Sequence, residues 1–270
     1  MNVRRMRVYF NAELWIQQTV RKLNSYSRDE LVLYVTENLN ALSEEETLAI
    51  LENLNVTPQI IGRIAQAPRL TGFHSVRVRL VGHRQTPQAH AVKLVHYIYW
   101  FDLLTLSTDV QVPAPVRRSI ETVLLSRVAK LTLGERISSA RSCSHALVRS
   151  FLYDPHPKVF ESLLVNQRLR EDDLLALTAS GRATSEQLLM IAQDARWSFR
   201  YAIRRALVLN PKTPRAAAAS HLRYLSRMDL KRIHSNPDTT VYVRRCIERR
   251  LPDDFSAAPE VIDYNGGRDA

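Results

Sequence analysis

The chain has 270 residues, a formal net charge of +11, seven glycines and two cysteines. Scarce glycine argues against tight hairpins and leaves no glycine-rich loop to cradle a phosphate. Cys143 and Cys246 lie far apart in amphipathic segments, which argues against a disulfide framework or a cysteine-type metal site and fits a reducing compartment.

In chain order, Met1 to Phe10 reads as a basic, loosely held arm without the apolar run of a signal peptide. Asn11 is placed to cap a helix ending near Leu23. Ser27 with Glu30 and Ser43 with Glu46 read as capping boxes, and Thr57-Pro58 places proline at a first helical position. Further helix starts are read at Thr86-Pro87, Pro113 or Pro115, Pro157, Thr184 with Gln187, Thr213-Pro214 and Asn236-Pro237. The segments between them carry apolar residues at three and four spacing, and none alternates as a strand does. No stretch approaches the roughly 18 apolar residues of a membrane span, so a soluble, cytoplasmic protein is expected.

Sliding the sequence against itself by 127 residues aligns its two halves without a gap. Leu42 to Ala49 falls on Leu169 to Ala176, Ile64-Ala65-Gln66 on Ile191-Ala192-Gln193, Thr86-Pro87 on Thr213-Pro214, Asp102-Leu103 on Asp229-Leu230, and Val116-Arg117-Arg118 on Val243-Arg244-Arg245. Such a unit divides into three helical pairs of about 42 residues, each with an apolar face that only a stacked neighbour buries. The expected fold is all-α: one right-handed α-solenoid of about six helix pairs with an internal duplication. The expected divisions are residues 1–42 as arm and capping helices, 43–169 and 170–252 as two sets of repeats, and 253–270 as a disordered acidic tail.

The run Arg204 to Pro214 reads Arg-Arg-Ala-Leu-Val-Leu-Asn-Pro-Lys-Thr-Pro. It resembles bacterial HEAT-like repeats and the leucine-rich-repeat-variant family, in which an Asn-Pro-x-Thr-Pro turn joins one helix to the next. Tyr153 to Pro157 and Ser235 to Asp238 are weaker echoes, and the resemblance covers Ser43 to Leu251. It implies an α-solenoid and little about function, since such scaffolds serve many roles. Some leucine-rich-repeat-variant proteins carry a cysteine-ligated iron–sulfur cluster; this chain has no cysteine cluster, and no cofactor is expected.

Candidate chemistry is sparse. His83, His90 and His96 are spaced so that all three cannot share a helix face, and no metal set is read from them. The acids at Glu44 to Glu46 and Glu171 to Asp173 sit at helix starts, where carboxylates cap. Cys143 beside His145 is weak grounds for a nucleophile. A DNA glycosylase on a HEAT-like scaffold would need aromatic and acidic side chains in a groove, for which Trp100, Trp197 and Asp229 are the candidates.

The charge is the stronger signal. From Met190 to Leu251 there are fourteen Lys/Arg against four Asp/Glu. Arg196, Arg200 and Arg204 recur at four-residue spacing, as do Arg223, Arg227 and Lys231, and each set is expected to form a stripe on one helical face. The expected partner of this basic surface is an acidic protein, with nucleic acid as the alternative. The aligned segment His96 to Asp102 offers a second surface. Tyr97, Ile98 and Phe101 keep their character in Tyr224, Leu225 and Met228 and are expected in the core. His96, Tyr99 and Trp100 do not, and are expected on a partly exposed face that binds a protein or a second copy. The function expected is a non-enzymatic interaction scaffold.

Overall fold

The computed structural model describes residues 18–255. The basic arm, the Asn11 cap and the acids beyond Phe255 lie outside the described residues. Every regular element among the described residues is a helix, from the segment 18–23 to Pro252–Phe255.

Local chemistry sets the helix starts. Glu46 donates its N–H to the Ser43 hydroxyl and returns its carboxylate to the Ser43 N–H at 2.8 Å, opening Glu44–Glu52. Thr184 and Gln187 do the same for Ser185–Gln193. Thr57 caps Pro58–Gln66, and Pro157 opens Pro157–Leu164. Such a cap stabilises a helix by about 1 kcal/mol. A further box, Thr132 with Glu135, opens Leu133–Ser142. Asn236-Pro237 does not start a helix as expected. Thr240 caps Val241–Arg250 instead, because Asn236 is spent closing the preceding helix.

That closure is the recurring joint of the molecule. The side chain of Asn53, Asp109, Asp154, Asn166, Asp194, Asn210 or Asn236 accepts the N–H two residues on, between 2.7 and 3.0 Å. This turns the chain sharply without a left-handed residue, which explains the scarcity of glycine. Where the residue is asparagine, its amide can also donate backwards. Asn53 reaches Leu23 O at 2.7 Å, Asn166 reaches Ala140 O at 2.8 Å, and Asn210 reaches Thr178 O at 2.6 Å. An aspartate can make the first bond but not the second.

The chain divides into two compact units, one running to Ser150 with Asn166–Arg168, the other Phe151–Val165 with the chain from Leu169 onward. In the first, Glu44–Glu52 packs on His74–Gly82, which packs on Gln88–Val95 and Trp100–Thr108; both of these contact Ala114–Arg127. Leu31, Ile50, Ile61, Ile64, Leu70 and Leu80 build its core. In the second, Glu171–Ala179 packs on Tyr201–Leu209, which packs on Arg215–Leu222; Val241–Arg250 joins this helix to Arg227–Ser235 and Pro252–Phe255. Leu222, Leu230, Ile233, Val243 and Ile247 are buried there.

Five helices recur with both ends displaced by 127 positions. Glu44–Glu52, Pro58–Gln66, His74–Gly82, Gln88–Val95 and Trp100–Thr108 correspond to Glu171–Ala179, Ser185–Gln193, Tyr201–Leu209, Arg215–Leu222 and Arg227–Ser235. Individual bonds recur too. Arg69 donates to Leu42 O at 2.6 Å, and Arg196 to Leu169 O at 3.4 Å.

The aligned aromatic segment is corrected by the structure. Ile98 and Leu225 are buried, but Tyr97, Phe101, Tyr224 and Met228, expected in the core, are 66, 51, 44 and 61% exposed. Trp100, expected on the surface, is buried and donates its indole N–H to Ser139 Oγ at 2.6 Å. The residues before Trp100 form a turn, so Ile98 points inward while its neighbours point out. Apolar character was retained on both sides of that turn, so identity alone does not report burial.

Candidate functional site

The two expected basic stripes are broken by turns. Arg196 and Arg200 lie in the irregular stretch 194–200, and only Arg204 belongs to Tyr201–Leu209. Arg223 follows Arg215–Leu222, whereas Arg227 and Lys231 stand one turn apart on Arg227–Ser235. The four-residue spacing therefore puts no three of these cations on one helix.

The fold regroups them. Arg196 is held by Leu169 O and lies over the Trp197 ring, 4.4 Å from its centroid. Arg200 pairs with Glu171 at 2.6 Å. These two are spent within the second unit. Arg204 and Arg223, 19 positions apart in sequence, converge on Tyr224. Their guanidinium carbons lie 3.8 and 4.7 Å from its ring centroid. The Arg204 Nε donates to Ser198 O at 2.6 Å, which fixes the fork, and neither guanidinium pairs with a carboxylate among the described residues. Phe199, 72% exposed, adds a second ring 5.7 Å from Arg204. A guanidinium stacked on an aromatic face is partly desolvated and keeps its edge donors free for an anion. His221 lies buried beneath. Burial and the Arg204 charge hold its imidazole below the ordinary 6.5, with Arg223 adding to the effect.

Arg227 and Lys231 are occupied from within the chain. Residues 253–255, expected as the start of a disordered tail, belong to the short helix Pro252–Phe255. Asp254 accepts two bonds from Arg227, at 2.6 and 2.7 Å, and lies 2.8 Å from Lys231 Nζ. These hydrogen bonds, Arg227 foremost, hold the Asp254 carboxyl down at about 2. Phe255 packs its ring 4.0 Å from that of His234, which pairs with Glu248 at 2.9 Å. Tyr224 and Asp254 were not candidates in the sequence, because neither spacing nor motif ties them to the cations they meet.

Part of the second expected surface is exposed. His96 and Tyr99 are exposed, with Tyr99 stacked on His74 at 4.2 Å between centroids. Tyr97 and Phe101 join them in place of Trp100.

The other candidates are engaged in the fold. Trp197 is buried with its N–H on Leu164 O at 3.2 Å. Asp229 accepts from the hydroxyls of Tyr201 and Ser226, and Tyr201 foremost holds its carboxyl below the ordinary 3.8. The Cys143 thiol is buried and burial pushes it up to about 12, the reverse of an activated nucleophile. His83, His90 and His96 do not assemble, and no group of three or more metal-ligating side chains occurs among the described residues. A groove of about 460 Å³ runs past Thr178 to Gly181, Leu209 to Lys212, Asn236 and Asp238, and none of the six candidate cations lines it.

No described helix is long and apolar enough to cross a membrane. Comparison of the chain with protein-family models, with curated proteins and with solved structures finds no match.

Proposed function

We propose that the chain is a non-enzymatic scaffold, a HEAT-like right-handed α-solenoid with an internal duplication, whose second half holds an acidic protein partner. The repeat reading rests on the five helices that recur at a constant offset with their joints, and on the Arg69 and Arg196 bonds. Insertion-free recurrence of helix ends is what stacked repeats of one ancestral unit would produce.

The functional reading is carried by one observation: Arg204 and Arg223 both lie over the half-exposed Tyr224 ring, and neither pairs with a carboxylate among the described residues. Unpaired guanidiniums held on a ring suit bidentate recognition of Asp and Glu side chains. Tyr and Arg are also the residues that anchor protein interfaces. The same rings suit a second reading, since Tyr224 and Phe199 could stack single-stranded bases while the arginines meet phosphates.

Binding of the full chain to polyglutamate and to a single-stranded oligonucleotide separates the two. The scaffold reading expects polyglutamate binding that Arg204→Gln with Arg223→Gln abolishes and that the charge-neutral Tyr224→Ala weakens several-fold. Preferential oligonucleotide binding that falls linearly in log–log salt plots would move the assignment to nucleic acid. Binding to neither at low salt would remove both.

A further inference from the structure

We propose that the cluster of Arg204, Arg223 and Tyr224 binds the phosphoserine or phosphothreonine of its acidic protein partner, a phosphomonoester dianion, in preference to a lone carboxylate. The inference rests on the scaffold reading and names the group by which that partner is held.

The number and closeness of the cations carry it. The guanidinium carbons of Arg204 and Arg223 lie 3.8 and 4.7 Å from one ring centroid, so they are no further from each other than twice the longer distance. Their charges therefore act on one spot. A carboxylate there would neutralise one guanidinium and leave the other. A phosphoryl group brings about two negative charges at neutral pH and three acceptor oxygens, enough for both forks. The buried His221 feels the pair: after burial, the Arg204 charge lowers its pKa and Arg223 acts in the same direction.

Both cations are placed before a ligand arrives. Arg204 Nε is fixed on Ser198 O at 2.6 Å. The turn that carries Arg223 and Tyr224 is tied at both ends: Arg250 donates to Arg223 O at 3.3 Å, and the Ser226 N–H donates to the Tyr201 hydroxyl at 3.1 Å. Donors already held in place lose less freedom on binding. The repeat itself does not require this pair. At the matching positions the first half keeps Arg77 and Tyr97 but has His96 for Arg223 and Gly72 for Phe199. The second guanidinium and the Phe199 ring are thus particular to the second half. Tyr224 is half-exposed, within reach of the short arm of phosphoserine, and the exposed Phe199 offers an apolar seat for a neighbouring side chain.

The probe is a labelled peptide Gly-Leu-Ser-Leu-Gly with serine, phosphoserine or glutamate at its centre, titrated against the full chain at one ionic strength. Phosphoserine should bind about tenfold or more tightly than glutamate, and serine only at background. Arg223→His, which restores the first-half residue, should bring phosphoserine down to the level of glutamate. So should Arg204→Lys, which keeps the charge and removes the fork. Phosphoserine held no more tightly than glutamate overturns the proposal; if polyglutamate is still bound, the scaffold reading stands. A phosphoserine preference that survives both substitutions, with the chains folded by circular dichroism, overturns it as well. Inorganic phosphate that binds as tightly as the phosphopeptide would make the ligand the free ion, and tighter binding to phosphatidate vesicles would make it a membrane. Either result overturns the proposal. Loss of polyglutamate binding with the phosphoserine preference intact would fault the Asp and Glu recognition alone. Binding to neither acid at low salt overturns both.

Discussion

His74 Nε2 lies 2.7 Å from Asp102 Oδ2, and 127 positions later the Tyr201 hydroxyl donates to Asp229 Oδ2. The two pairs tie the first residue of one helix to the third residue of a later one, where a carboxylate also complements the helix dipole. The ring has changed from imidazole to phenol while the acid and the geometry have stayed. This junction recurs with the architecture.

Tyr201→Phe should destabilise the second unit by about 1 kcal/mol, read as a shift in urea midpoint at neutral pH. Tyr201 is the foremost cause of the lowered Asp229 pKa. A depressed folded-state pKa gives stability that is present above 3.8 and lost as pH falls through the folded value. The cost of Tyr201→Phe should therefore shrink in acid. A cost equal at pH 7 and at pH 2 would show that the hydroxyl acts elsewhere.

Trp100 and Tyr97 should separate cleanly. Trp100→Ala removes a buried ring and leaves Ser139 without its partner, an expected loss of about 3–5 kcal/mol. Tyr97→Ala, at 66% exposure, should stay within about 0.5 kcal/mol. Equilibrium unfolding of both variants checks the inverted burial of this segment; a large cost at Tyr97 would contradict it.

His221 should make the second unit acid-sensitive. Its folded-state pKa lies below the ordinary 6.5, so the unfolded chain binds the proton first. Stability is fully present above pH 6.5 and falls as pH drops from there through the folded value. His221→Leu, the residue at the matching position Leu94, should flatten that part of the thermal-midpoint profile. An unchanged slope would assign the sensitivity to another group of that unit.

The all-helical class, most helix starts and the 127-residue offset were legible in the residues, because capping and periodicity are local. Ser43 with Glu46 or Thr184 with Gln187 needs no knowledge of the rest of the chain. The sites were legible only as composition. Arg204 meets Tyr224, and Arg227 meets Asp254, across 20 and 27 positions. Spacing on an ideal helix also misled, because turns at 194–200 and 223–226 interrupt both arginine series. Which cations are spent on carbonyls, which are neutralised by the chain's own acid and which stay free follows from long-range packing. Tertiary structure decided that division, since a guanidinium's chemistry depends on the groups brought against it rather than on its sequence neighbours.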